Sequence, residues 1–129
     1  AIARGRLRRS SGTVDAPIGR HPHARQKMAI NERGRRAVTH WQVVKRLGDA
    51  FTVIHCELET GRTHQIRLQL AYLGLPILGD PRYGNGPQEA CERTMLHAES
   101  LSLIHPVTKK TLTIAAEPYD DMQQLLNQP

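Results

Sequence analysis

Within residues 61–70, GRTHQIRLQL, two arginines and a histidine fall inside six positions: Arg62, His64 and Arg67. All three donate hydrogen bonds, and a guanidinium fork matches the paired oxygens of a carboxylate or a phosphate. The stretch follows a β-like run and opens a helical one. Backbone N–H groups point outward at a helix start, so Arg62, just before it, is placed to meet a phosphate there. His64 lies beside the positive end of the helix dipole and is expected to be neutral and hydrogen-bonded rather than a general base. Arg67 borders the face that must be buried, and its helical neighbours Thr63, His64, Leu70 and Ala71 include no acid. Two fates are open to it. The fold brings a carboxylate or phosphate from elsewhere, because a half-buried unpaired guanidinium is costly, or the stem snorkels the charge to solvent. Helix position alone does not choose between them.

Hairpins must position this corner. AVTHWQVVKRL alternates β-branched and polar residues, Gly48 and Asp49 turn the chain, and AFTVIHCELET returns. Thr63 is predicted to cap a helix whose apolar positions Ile66, Leu70 and Leu73 recur at i, i+4 and i+7, with Gly74 ending it. Upstream, SSGTVDAPIGRHPH reads as short extended pieces between turns. RQKMAINERGRRAVTH reads as a hairpin with an apolar run at Met28–Ile30 and a turn at residues 31–34. Downstream, LPILGDPRYGNGP is a loop with fixed turns, and LHAESLSLI and KTLTIAA are strands flanking HPVTKK. Pro118, Asp120 and Asp121 open a short helix ending near Leu126. No internal repeat is visible, and the pattern predicts an α+β fold: a mainly antiparallel mixed sheet with a few helices.

A chain of 129 residues suffices for one core, and one domain is expected. No apolar run approaches the roughly 18 residues of a membrane span, and the Arg-rich N-terminus leads into no apolar export segment. A soluble, cytoplasmic, monomeric chain without membrane contact is the expectation. Cys56, Cys91, His21, His23, His55 and His64 lack paired ligand spacing, so no metal is expected, and two thiols suit an intracellular protein better than a stapled secreted one. The net charge of +6 is uneven: residues 1–36 carry ten Lys or Arg against two acids, and the remainder carries eight against ten. Nine of those ten cations are arginine, among them Arg6, Arg8, Arg9 and Arg20, which favours a polyanion such as nucleic acid over a merely solvated loop surface.

Taken in order, GTVDAPIGRHP, AVTHWQV, ETGRTHQIRLQLAYLGLPILGDPRYG, LHAESLSLIHP and AAEP resemble the ribosomal large-subunit pseudouridine synthases of the RluA/RluD type, closest to the D type. The resemblance covers nearly the whole chain. It implies isomerisation of uridine to pseudouridine in RNA. The N-glycosidic bond breaks, the base rotates and rejoins through carbon, and an aspartate is the nucleophile, with no metal or organic cofactor. The base must leave the stack to reach it. Large-subunit rRNA is the implied substrate, with tRNA a target of some relatives. Arg67 matches the arginine that pairs with the catalytic aspartate and helps hold the target nucleotide, and His64 matches a position beside the active site.

In that family the aspartate lies in a His-Arg-Leu-Asp motif upstream of the block matching GTVDAPI, and a tyrosine follows in a Tyr-x-Ala segment whose alanine matches Ala1. The chain is therefore expected to be the C-terminal portion of a single catalytic domain across residues 1–129, inactive alone. Residues 1–36 form its basic, turn-rich, RNA-facing segment and residues 37–129 its sheet and helix core. Arg67 is then the counter-ion for an aspartate absent from this chain, with Arg62, His64, Arg6, Arg8, Arg9 and Arg20 contacting RNA. A non-catalytic RNA-binding module is the alternative. Asp80, fixed between Gly79, Pro81 and Gly84, reads as a turn residue bonding nearby backbone N–H groups. Tyr83 reads as a packed ring with a satisfied hydroxyl, His97 as a structural strand residue, and Asp15, Asp49, Asp120 and Asp121 as local caps.

Overall fold

β-branched residues on a two-residue period build the framework, as the alternation predicts. The computed structural model describes residues 1–24, 26–84 and 93–128. In chain order the elements are β1 (Ile2–Arg4), β2 (Ser11–Asp15), β3 (Ile18–Arg20), β4 (Met28–Ile30), β5 (Val38–Leu47), β6 (Phe51–Leu58), α1 (Gln65–Tyr72), β7 (Ser100–Ile104), β8 (Thr111–Ala115) and α2 (Asp120–Leu126). They fall into two units, Ala1–Met95 and Leu96–Gln128. Cys91 and Arg25 lie outside the described residues, as do residues 85–87 of the predicted turn segment.

The first unit is centred on an antiparallel sheet in the order β1-β6-β5-β2. The predicted β5–β6 hairpin is present, with Gly48 in the left-handed region (φ 59°) at its turn. A register shift between Val43 and Lys45 breaks the ladder, and Val44 there is exposed. The buried side chains include Ile2, Val38, Trp41, Ile54 and Leu70.

Met28–Ile30 is a strand, but its partner differs from the expectation. It pairs with β3, in the register Ile18↔Ile30 and Arg20↔Met28, rather than across residues 31–34. The turn at those residues does exist, closed by Gly34 N–H on Asn31 O at 2.7 Å. It returns the chain against the other side of Ile18, where Arg35 and Ile18 exchange backbone hydrogen bonds. A side chain at position 34 would collide with the Ile18 backbone, so only glycine permits this approach.

The segment after α1 is held by apolar burial and by β1. Leu75, Ile77 and Leu78 are each almost fully buried. Arg4 N–H bonds Pro76 O at 2.8 Å and Leu78 N–H bonds Ile2 O at 2.9 Å, so this segment runs along the free edge of β1. Asp80 comes directly after it, its N–H on Ile77 O at 3.1 Å, and is thereby delivered to a fixed place.

In the second unit, β7 and β8 pair antiparallel within the two predicted strand runs. Leu101↔Ile114 and Leu103↔Leu112 lie on one face, and Ser102 and Thr113 share a 2.9 Å hydroxyl hydrogen bond on the other. His97 precedes β7 rather than lying in it, and its Nε2 is 2.9 Å from Ala116 O. The predicted terminal helix is α2, with Asp120 and Asp121 in its first turn and Met122 buried. Among the described residues, no helix is long and apolar enough to cross a membrane.

Candidate functional site

The start of α1 is built by a glutamine rather than by the predicted Thr63 cap. The capping position is His64, in the left-handed region at φ 58°, and no side chain caps the helix there. Gln65 Oε1 instead accepts the Arg62 N–H at 2.9 Å and the Thr60 hydroxyl at 2.8 Å. Its Nε2 donates to Val38 O at 3.1 Å and to Thr39 Oγ1 at 2.9 Å. One turn on, Gln69 Nε2 donates to Ala16 O and Ala37 O, and its Oε1 accepts the Thr39 hydroxyl at 2.6 Å. The deeply buried face of the helix is therefore Gln65, Gln69 and Leu70, while Ile66 and Leu73 of the expected apolar stripe are only half-buried. Buried amides are tolerated here because every donor and acceptor is matched. Gly74 does end the helix, at φ 84°, with Gly74 N–H on Ala71 O and Leu75 N–H on Leu70 O.

The glutamine anchors fix the rotation of α1 and so the direction of Arg67. Its Nε donates to Asp80 Oδ2 at 2.9 Å and its Nη2 to Asp80 Oδ1 at 2.8 Å. The Arg67 side chain is 18% exposed and that of Asp80 is fully buried. Of the two fates open to the arginine, the fold realises the paired one, with a carboxylate thirteen residues further along the chain. Asp80 also plays the turn role read from the sequence, accepting the N–H groups of Arg82 at 2.9 Å and Tyr83 at 3.2 Å on Oδ1. Burial pushes its carboxyl upward, but the Arg67 hydrogen bonds and those two N–H groups outweigh this and hold it below the usual aspartate range. The hydrogen bonds to Asp80 raise Arg67 in turn, so the guanidinium is permanently charged.

Tyr83 closes the arrangement. Its ring lies under the guanidinium, 5.2 Å from Cζ to the ring centroid, and meets the His64 ring edge-on at 5.5 Å. Its hydroxyl accepts the Met28 N–H at 3.0 Å and lies 2.8 Å from His64 Nδ1. Burial, then the charges of Arg67 and Arg82, depress the His64 pKa against the opposing pull of Asp80, so the ring is neutral at pH 7. Arg67 Nη1 and His64 Nε2 have no partner among the described residues, and no unbonded side-chain nitrogen or oxygen there is buried. Both atoms consequently open to solvent as the free edge of the site.

Arg62, His64 and Arg67 share this corner, and Arg20 joins them through its register partner Met28, whose N–H holds Tyr83. Arg62 is tied down by Nε on Arg36 O at 2.8 Å. Arg6, Arg8 and Arg9 lie elsewhere, in the exposed β1–β2 loop, where Arg6 pairs with Asp49 at 3.2 Å in the β5–β6 turn. That turn opens β6 and residue 62 follows its far end. The eight residues of β6 set the two cationic groups roughly 25 Å apart at about 3.3 Å per residue. Sequence reasoning missed Asp80 as the partner of Arg67 and missed Tyr83 as the link to His64. The available signal was the unmet charge of Arg67 beside a turn rigid enough to offer a fixed carboxylate. Among the described residues, no group of three or more His, Cys, Asp or Glu could hold a metal ion.

Known proteins resemble this chain in sequence and in fold. The sequence profile of the RNA pseudouridylate synthase family matches residues 3–72. The chain is 44% identical to ribosomal large subunit pseudouridine synthase D of Xanthomonas campestris pv. campestris, over 92% of this chain and 39% of that protein. It is 42% identical to the uncharacterized RNA pseudouridine synthase YlyB of Bacillus subtilis, over 98% of this chain and 41% of that one. The chain thus spans about two fifths of the length of these curated relatives. Among solved structures, human RNA pseudouridylate synthase domain containing 1 superposes with a TM-score of 0.82 at 27% identity, covering 97% of this chain and 56% of that one. Human RNA pseudouridylate synthase domain containing 4 superposes at 0.70 and 25% identity, covering 98% and 59%. With more than half of its residues inside the family profile and its α+β fold shared with these synthase domains, the chain belongs to the RNA pseudouridylate synthase family.

Proposed function

We propose that this chain serves the isomerisation of uridine to pseudouridine in large-subunit rRNA, contributing Arg67 and an RNA-facing surface as part of a single catalytic domain. The observation that carries the reading is the clamped guanidinium. Asp80 and Tyr83 hold Arg67 rigid while Nη1 stays open, so a second acceptor can approach without the arginine reorganising. In this reading that acceptor is the carboxylate of the aspartate nucleophile, contributed from outside residues 1–129, or an oxygen of the target nucleotide. Asp80 is a poor nucleophile itself: both oxygens are engaged, one of them by three donors, and its side chain is fully buried. Residues 1–129 alone therefore bind RNA without turning it over. Large-subunit rRNA is favoured over tRNA because the Xanthomonas relative is a ribosomal large subunit pseudouridine synthase.

The test is a chimera in which this chain replaces the matching portion of the Xanthomonas enzyme, assayed for pseudouridine on unmodified large-subunit rRNA. Turnover is expected, with a loss of about a hundredfold or more when Arg67→Lys is introduced, since lysine keeps the charge but loses the fork. A folded chimera that produces no pseudouridine, or one indifferent to Arg67→Lys, overturns the reading. Pseudouridine formed by residues 1–129 alone would overturn the assignment of Asp80.

A further inference from the structure

We infer that the Tyr83 hydroxyl fixes the tautomer of His64, so that the imidazole presents an Nε2–H donor beside Arg67 for an acceptor oxygen of an RNA nucleotide. The phenol oxygen accepts the Met28 N–H at 3.0 Å, and His64 Nδ1 lies 2.8 Å away. Among the described residues Nδ1 is the one acceptor in reach of the phenol proton. A ring protonated on Nδ1 would place two N–H donors on the phenol oxygen and leave the O–H without an acceptor among the described residues. The satisfied arrangement is O–H donating to bare Nδ1, with the ring proton on Nε2.

The groups around the ring favour its neutral form over the cation. Arg67 from α1 and Arg82 from the following loop oppose a cationic imidazole, Asp80 pulls the other way, and burial adds to the two arginines. Nε2 itself opens to solvent. The left-handed backbone of His64 sets the ring against Tyr83, a conformation uncommon for residues other than glycine. The outcome is a rim that only donates: Arg67 Nη1 and His64 Nε2–H, with the Asp80 carboxylate sealed behind it. Tyr83 is a positioning residue that acts through His64. The tautomer stands on geometry alone, and its use in RNA recognition rests on the proposed function.

Nitrogen-15 spectra of the histidine side chains in the full chain test the tautomer. His64 is expected to carry its proton on Nε2 at pH 7, and Tyr83→Phe, which removes one oxygen, is expected to give mixed tautomers. A proton on Nδ1, or spectra unchanged in a folded Tyr83→Phe variant, overturns the inference. Should that variant fail to fold, the wild-type spectrum still decides. Binding to a labelled rRNA hairpin tests the recognition. His64→Ala and Tyr83→Phe are expected to weaken it about three- to tenfold, the range of one hydrogen bond. His64→Gln, with an amide donor near the Nε2 position, is expected to recover most of the loss, and the salt dependence should stay unchanged because a neutral donor releases no counterion. Undiminished binding by His64→Ala overturns the recognition step, whereas wild-type chain that binds no RNA overturns the proposed function and leaves the tautomer standing.

Discussion

Asp80 grips Arg67 through two hydrogen bonds of 2.8 and 2.9 Å, joining the middle of α1 to a turn thirteen residues away. Removing one partner of a buried pair costs about 3–5 kcal/mol, and the partial exposure of Arg67 reduces this. Asp80→Asn is therefore expected to lower the unfolding free energy by about 2–3 kcal/mol in urea titrations at pH 7. Arg67→Lys should cost less, because the charge survives and only the fork is lost. A melt of Asp80→Asn that matches the wild type would show that the pair has no net role.

The same contacts set a pH dependence with two windows. The Asp80 pKa is depressed in the folded state, so its contribution is present above the unfolded value of about 3.9 and is lost as pH falls through the lower folded value. His64 is also depressed. Between its folded value and about 6.5 the unfolded chain binds more protons, so stability falls as pH drops through that interval. His64→Gln is expected to remove the upper loss and Asp80→Asn to diminish the lower one. Thermal melts from pH 8 to pH 3 check both, and an upper window that persists in His64→Gln would assign it to another histidine.

The buried glutamines are expected to matter as much as an apolar core residue. Gln69→Leu keeps the volume and leaves Ala16 O, Ala37 O and the Thr39 hydroxyl without this partner. Each unmet buried group costs about 1–3 kcal/mol, so a loss of about 2–4 kcal/mol is expected after the gain from added apolar surface. A neutral or stabilising Gln69→Leu in a urea titration would contradict the claim that this network orients the helix.

This network also shows where legibility in the sequence ended. The β5–β6 hairpin, the Gly74 helix stop and the α+β class follow from alternation and turn chemistry, which are local. The buried face of α1 does not, because two glutamines four residues apart look like a solvated stripe until the carbonyls of Ala16, Ala37 and Val38 are set opposite them. Met28–Ile30 was legible as a strand, but its pairing with β3 depends on Gly34 passing close to Ile18, a contact between distant positions. Arg67 posed a question that its own helix could not answer. Asp80 answers it only once Leu75, Ile77 and Leu78 are buried and the segment lies along β1.

The last prediction separates the two cationic groups. Phosphate contacts release counterions, so log K against log salt falls by about 0.7–0.9 per contact. Replacing Arg6, Arg8 and Arg9 together by serine is expected to flatten the slope for a labelled rRNA hairpin by about two to three units and to weaken different sequences alike. Arg62→Ser, beyond the other end of β6, should change it by at most about one unit. At roughly 25 Å apart the two sites share no partner, so their losses should add for RNA long enough to span both. Arg6 carries an exposed pair with Asp49, whose side chain is fully accessible, and such a pair competes weakly with phosphate. Asp49→Asn is accordingly expected to tighten binding slightly at low salt and not at high salt. Fluorescence anisotropy across a salt series decides. An unchanged slope in the triple variant would reduce those arginines to a solvated loop surface and leave RNA contact to the corner around Arg62, His64 and Arg67.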